Sequence, residues 1–295
     1  MNISEYIGNT PLIKLNLEDE KCADIYVKLE MFNPGGSIKT RVAAGMIEKA
    51  ERMGKIKKGD TVIEATGGNT GVGLAIICNI KGYKLIAVVP DNYSQRRIAM
   101  LKLYGAKVLL SDSKEGNDSH IKLVKKIIKD HPDYFWVNQF ENDASIDAHY
   151  NGTAREIYEV IHPDAFVACV GSAGTFQGIG SYLKERNPEV KLFAVQPKGC
   201  DLKNGKAIKH KVQGVSLGII PKLLDYSIIS DYIDVEFEKI KETILWLAKK
   251  EGIFLGLSSG ANILAAMEVS KKLGRGKIVC TVAPDGGDNY FDEIM

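Results

Sequence analysis

The 295-residue sequence predicts an α/β protein of two lobes, each a largely parallel twisted sheet flanked by helices. Three observations predict it. Short runs rich in β-branched residues alternate with longer stretches of helical period. Those runs are apolar at almost every position, as strands covered on both faces must be. The rhythm restarts after Glu141–Ser145 with no low-complexity linker, which divides the chain into a smaller lobe, 40–145, and a larger one, 1–39 plus 146–295.

The series opens with IYVKL at Ile25–Leu29, read as a strand, and the helical pattern Lys39–Arg52 follows. TVIE at Thr61–Glu64, LIAVV at Leu85–Val89 and VLL at Val108–Leu110 are the next strands. Between and after them, Thr70–Ile80, Gln95–Leu103 and His120–Lys129 carry helical spacing. Past the boundary the order is helix Ile146–Val160, strand Phe166–Val170, helix Thr175–Lys184 and strand Leu192–Val195. Helices Lys239–Lys250 and Asn262–Leu273 and strand Ile278–Val282 complete the chain. In a doubly wound fold, ligands sit outside the carboxyl ends of the strands, so the loops at those ends are where chemistry is expected.

Composition narrows the function. Hydrophobic residues at 45% and charged residues at 26% are ordinary for a globular protein, and the net charge is +2 with basic residues spread along the chain. That is too weak a field to attract nucleic acid or an anionic membrane. The N-terminal MNISEYIGNTPLIKL lacks the basic and apolar regions of a secretory signal, and runs such as Phe166–Val170 are too short to cross a bilayer. A cytoplasmic, soluble protein is expected. Cys22, Cys78, Cys169, Cys200 and Cys280 are scattered without pairing, which suits a reducing compartment; Cys78, Cys169 and Cys280 lie in apolar runs and read as core thiols. The five histidines have no metal-ligand spacing, so no metal site is expected.

Four strand ends carry clusters of Gly, Ser, Thr and Asn. In Val170-Gly171-Ser172-Ala173-Gly174-Thr175, glycines allow close backbone approach, and a helix start offers N–H groups to an anion such as phosphate. The run matches neither the Walker loop nor GxGxxG, and a plain strand-to-helix turn is the other reading. Thr66-Gly67-Gly68-Asn69-Thr70-Gly71 offers amides and hydroxyls to a carboxylate, or simply caps a helix. Asn33-Pro34-Gly35-Gly36-Ser37-Ile38-Lys39 places a lysine in the first turn of a helix, where a cation is unfavourable. That lysine is either an exposed side chain or one meant to lose its charge, as a Schiff-base lysine does. Gly256-Leu257-Ser258-Ser259-Gly260-Ala261-Asn262 sets two serines at a helix start, as caps or as a hydroxyl for a ring nitrogen. Glu64 and Asp285 are charged residues beside these loops, where solvation at a strand end explains them as readily as a function does.

With these loops in this order, the sequence resembles the cysteine synthase family of fold-type II pyridoxal-phosphate enzymes, which includes O-acetylserine sulfhydrylases and the core of cystathionine β-synthases and is tryptophan synthase β-like in fold. The likeness runs from Tyr6-Ile7-Gly8-Asn9-Thr10-Pro11-Leu12 to Pro284-Asp285-Gly286-Gly287-Asp288-Asn289-Tyr290. The resemblance implies pyridoxal 5'-phosphate as cofactor, with Lys39 forming the Schiff base and acting as base on the α-proton. It implies Asn69 at the ring hydroxyl, Gly171, Ser172, Ala173, Gly174 and Thr175 as phosphate cup, and Ser258 at the pyridine nitrogen. Thr66, Gly67, Gly68, Thr70 and Gln139 would grip the substrate carboxylate as the smaller lobe closes, with Gly214 at the substrate entrance. The implied reaction is β-replacement through an α-aminoacrylate, O-acetyl- or O-phospho-L-serine plus sulfide giving L-cysteine. A cysteine lyase releasing hydrogen sulfide is the alternative, and a non-catalytic regulatory homologue a third. A homodimer and a docking serine acetyltransferase are further implications.

The sequence departs from the family at three places. TGGNTG stands where many members have TSGNTG, so Gly67 removes a hydroxyl. Ala173 replaces a common glycine of the phosphate loop. Gly214-Val215-Ser216-Leu217-Gly218-Ile219-Ile220-Pro221 replaces a GAGF-like run and lacks the acidic residue of cystathionine synthases.

Overall fold

The computed structural model describes residues 2–116 and 118–295. In chain order it contains β1 (Leu12–Lys14), β2 (Asp24–Leu29), α1 (Lys39–Arg52), β3 (Thr61–Ala65), α2 (Asn69–Lys81) and β4 (Lys84–Pro90). α3 (Gln95–Leu103), β5 (Lys107–Ser111), α4 (Ser119–Asp130), β6 (Phe135–Trp136), α5 (Ala144–Ala148) and α6 (Ala154–Tyr158) follow. Then come β7 (Ala165–Cys169), α7 (Gly174–Arg186), β8 (Lys191–Pro197), β9 (Asp231–Val235), α8 (Phe237–Lys250), α9 (Leu257–Leu273) and β10 (Ile278–Ala283).

Two compact units divide the chain. The first, Met1–Ile7 with Asn33–Ser145, holds an all-parallel sheet in the order β5-β4-β3-β6. Val62, Leu74, Leu85, Val89 and Leu101 form its core beneath α1 and α2. The second, Gly8–Phe32 with Ile146–Met295, holds the sheet β1-β2-β10-β7-β8-β9, parallel throughout except for the β1–β2 pair. Helices α8 and α9 pack their apolar residues Ile240, Ile244, Ile263 and Val269 into one of its cores, and Phe166 and Phe176 anchor another. The α/β class with parallel, helix-flanked sheets is therefore the one the sequence predicts.

The division differs from the expected one at the lysine loop. Residues 33–39 belong with the first unit rather than with 146–295, because α1 packs on α2 and carries its entry loop with it; Ile7 likewise packs against the first unit's core. Three strands escape the apolar-run criterion. β1 and β6 are only three and two residues long, and β9 reads DYIDV, an edge strand in which Asp231 and Asp234 are exposed. The expected helix Ile146–Val160 is interrupted, α5 and α6 being joined through a π-helical turn at His149–Thr153. α9 starts at Leu257 rather than Asn262, so the Ser258-Ser259-Gly260 run is its first turn and not a loop before it.

A buried polar chain ties the second unit together. Lys28, 2% exposed, donates to the Thr10 carbonyl at 2.6 Å and pairs with Glu156 at 2.7 Å. The Thr10 hydroxyl donates to the buried Glu30 at 2.7 Å. Five unpaired cysteines are present, and burial pushes the Cys78 and Cys280 thiols up to about 12, as inert core thiols require. No helix among the described residues is long and apolar enough to cross a membrane.

Candidate active site

In the first unit, Lys39 is the first residue of α1, half-buried, with its backbone N–H directed at the Ser37 hydroxyl at 3.3 Å. Its N-cap residue, Ile38, makes no side-chain capping bond. α2 begins at Asn69, directly after the Thr66-Gly67-Gly68 turn that ends β3. Gly73, one helical turn beyond Asn69, joins the two helices: a Cβ there would stand 2.9 Å from the Lys39 carbonyl oxygen. Only glycine lets α2 approach the start of α1 that closely, and the approach brings the lysine loop and the TGGNTG loop onto one side of the unit.

The same unit joins the turn to Gln139. The buried Thr70 hydroxyl donates to Gln139 Oε1 at 2.7 Å. Beside them lies Glu64, which is 2% exposed and, among the described residues, has no hydrogen-bond partner at Oε2. Burial pushes its carboxyl up to about 8, against the opposing pull of the neighbouring Asn138, Gln139 and Ala65 amides. The expectation of a solvated strand-end charge fails at Glu64, because β3 is an interior strand between β4 and β6. It fails at Asp285 as well, which is buried and accepts a 2.7 Å bond from the Tyr290 hydroxyl.

In the second unit, Gly171 to Thr175 link β7 to α7. Ala173, at the helix N-cap, takes φ of 74°, a left-handed conformation that explains why glycine suits this position, and it supplies no capping side chain. The Gly214 segment lies against this loop: a Cβ on Gly171 would come within 2.2 Å of the Gly214 carbonyl oxygen, and the Ser216 N–H donates to the Val170 carbonyl at 3.1 Å. Asn262 of α9 braces the loop from behind, accepting from the Cys169 N–H at 2.7 Å and donating to the Val282 carbonyl at 2.9 Å. Of the paired serines, Ser259 is buried and donates to the Asp285 carbonyl at 3.1 Å, which leaves the half-buried Ser258 as the one available to a ligand.

Sequence reasoning passed over His149, Tyr93 and Arg97. The buried His149 sits in the π-helical turn, with Nδ1 2.9 Å from the Thr153 hydroxyl and Nε2 3.2 Å from the Thr175 hydroxyl at the head of α7. Such insertions are frequent at functional sites, but a one-residue bulge leaves no periodic signal in a sequence.

An anionic cofactor needs a turn that the backbone can approach closely and helix N–H groups that no side chain has capped. The Gly171–Gly214 contact and the uncapped start of α7 meet both needs, and a lysine at a helix head meets the need for a Schiff-base amine. This architecture is that of an α/β enzyme built to hold a phosphorylated carbonyl cofactor. Residues 3–285 match the family described as pyridoxal-phosphate dependent enzyme, and the chain belongs to that family. It is 45% identical to a cysteine synthase of Staphylococcus aureus over 98% of this chain and 95% of that one. Among solved structures it resembles O-acetyl serine sulfhydrylase isoform 3 of Entamoeba histolytica, with a TM-score of 0.94 and 36% identity over 99% and 90% of the two chains. It also resembles a hydrogen sulfide-producing enzyme of Fusobacterium nucleatum, with a TM-score of 0.92 and 40% identity over 98% and 97%.

Proposed function

We propose that this enzyme forms L-cysteine by β-replacement, taking O-acetyl-L-serine (or O-phospho-L-serine) and sulfide. What carries the reading is that the cysteine synthase likeness spans 98% of the chain while a lysine heads α1 with the TGGNTG helix packed against it. Pyridoxal phosphate, when bound, supplies an electrophilic carbon for the substrate amine and a sink for the electrons left when the α-proton departs.

The chain's own residues do the rest. Gly171 to Thr175 would hold the phosphate on the head of α7, and Asn69 and Ser258 would meet the ring at its hydroxyl and nitrogen. A serine, unlike a carboxylate, does not enforce a positive charge on that nitrogen, which favours β-chemistry over transamination. The amides and hydroxyls of Thr66, Gly67, Gly68 and Thr70, with Gln139, bind the substrate carboxylate. Lys39 Nζ takes the α-proton as general base. The C–O bond at Cβ breaks with acetate carrying away the electron pair; the sulfur of hydrogen sulfide then forms the new C–S bond, and Lys39 Nζ returns the proton to Cα. Release of hydrogen sulfide from L-cysteine would use the same groups, the C–S bond at Cβ breaking and water or another thiol completing the turnover; the likeness to a hydrogen sulfide-producing enzyme and the Ser216 and Leu217 departures favour keeping that reading. The resemblance also supports a homodimer and a serine acetyltransferase as partner, which sedimentation of the protein alone and with that enzyme tests.

The deciding experiment adds O-acetyl-L-serine and L-cysteine to separate cuvettes of the cofactor-loaded protein and follows the visible band and sulfide. A band shift with O-acetylserine, and cysteine on later addition of sulfide, is the expected result. Sulfide from cysteine alone with no response to O-acetylserine assigns the lyase, and a protein that takes up no pyridoxal phosphate refutes both.

A further inference from the structure

Gly67 has a steric cause. Its φ is not in the left-handed region, so glycine is not needed there for backbone freedom. It is needed for space: a Cβ would lie 2.7 Å from Tyr93 Cε1, 2.8 Å from Tyr93 Cδ1 and 2.7 Å from Val89 Cγ1. Val89 is fully buried on β4 and stiff at χ1 because it is β-branched, so it yields that space only at a cost. Tyr93 follows β4 in a turn closed by its N–H donating to the Pro90 carbonyl at 3.1 Å. Its ring therefore fills the volume that a serine side chain at position 67 would take.

The polar end of that ring reaches the next residue of the turn. The Tyr93 hydroxyl is 3.6 Å, and Arg97 Nη1 3.7 Å, from where a Cβ on Gly68 would be. Tyr93 is half-buried, and its hydroxyl makes no hydrogen bond with any described residue. A phenol donor and a guanidinium thus flank the turn at which a side-chain hydroxyl has been lost.

We infer that Tyr93 is a substrate-positioning residue: its ring makes glycine obligatory at position 67, and its hydroxyl donates to the α-carboxylate of the amino-acid substrate in place of the missing serine. Arg97, from the first turn of α3, adds positive charge at the same turn. The inference rests on the reading of Thr66 to Thr70 as the carboxylate-binding turn. It holds for O-acetylserine and for cysteine alike, since both carry that carboxylate.

The test uses the cofactor-loaded enzyme and Tyr93→Phe, Thr70→Val, Gly67→Ser, Tyr93→Ala and the Gly67→Ser/Tyr93→Ala pair. For each, kcat and KM are measured with O-acetyl-L-serine and L-cysteine, with thermal melting alongside. Tyr93→Phe is expected to raise KM about tenfold, the effect of one hydrogen bond to a charged group, with kcat within about twofold and melting unchanged. Gly67→Ser is expected to lower the melting temperature, and to lower it by less than half as much when Tyr93 is alanine. An unchanged KM in Tyr93→Phe while Thr70→Val raises it overturns the role of Tyr93 and leaves the carboxylate turn standing. An unchanged KM in both overturns the turn itself. Equal melting losses for Gly67→Ser in the two backgrounds overturn the steric coupling.

Discussion

Replacing Glu64 with glutamine separates a buried acid from everything else that titrates. In the folded protein its carboxyl is held protonated up to about 8, first by burial, whereas in the unfolded chain it ionises at its ordinary 4.5. The folded value is the raised one. Below 4.5 both states are protonated and the native state loses nothing; as pH rises from there, the unfolded chain releases a proton that the folded one keeps, and stability falls until the folded acid ionises as well. At about 1.4 kcal/mol per pH unit, the loss is on the order of 3 kcal/mol at neutral pH and approaches roughly 5 kcal/mol above pH 8. Glutamine has nearly the same shape and also carries a donor and an acceptor, but it never ionises. Urea unfolding of parent and Glu64→Gln at pH 5, 7 and 9 is the assay. The variant's advantage is expected to be under about 1 kcal/mol at pH 5 and to widen to several kcal/mol at pH 9. Groups common to both proteins cancel in the difference. Parallel curves, or an advantage largest in acid, refute a buried neutral acid at this position.

Further predictions follow from the other unit and the lysine. Lys39→Ala is expected to abolish turnover while the phosphate cup still binds the cofactor, which phosphorus NMR detects; normal activity refutes its role. Gly171→Ala is expected to abolish cofactor binding, because its methyl would overlap the Gly214 carbonyl oxygen at 2.2 Å; equilibrium dialysis checks it. Glu156→Ala leaves the Lys28 ammonium buried without its counter-charge and is expected to cost about 3–5 kcal/mol in urea unfolding, far more than Glu236→Ala, whose pair with Lys198 is exposed. Ser216→Gly relieves the steric cost of a left-handed φ of 45° and removes a buried hydroxyl that has no partner among the described residues, and calorimetry is expected to show stabilisation of about 1–3 kcal/mol.

The sequence made most of the interior legible because strands covered on both faces read as unbroken apolar runs; the observed bounds of β3, β4 and β10 extend the predicted runs by a residue at one or both ends, and β7 is shifted by one residue toward the N-terminus. It made the edges illegible, since β1, β6 and β9 are short or half-exposed and resemble loops. The lysine and the glycine-rich turns stood out by composition alone. What composition does not carry is the pairing of distant residues. Gly67 is conspicuous as a departure, but its cause lies at Val89 and Tyr93, brought alongside it by the β3–β4 register that sets Ala65 opposite Val88. Glu64 misled for the same reason: whether a charge at the end of a strand is solvated depends on what pairs with that strand, and β6, only two residues long, leaves no signal of its own.

The departures from the family are not spread evenly over the proposed roles. Lys39, Asn69 and Ser258, which would meet the cofactor's reactive ring, keep the family's residues, and Ala173 in the phosphate loop is a change of one methyl in a backbone that already accommodates it. The larger changes, Gly67 in the carboxylate turn and Ser216 with Leu217 in the entrance segment, fall where the amino acid and its β-substituent would lie. Each carries a physical signature of adjustment, a tyrosine packed into the space of a lost side chain in one case and an unpartnered buried hydroxyl on a left-handed residue in the other. A chain losing its function would be expected to erode the lysine and the phosphate loop along with the rest. The α-carboxylate is common to acetylserine and cysteine, so Tyr93 would serve both, and the choice between them is to be sought in the entrance segment at Ser216 and Leu217, where the β-substituent would lie.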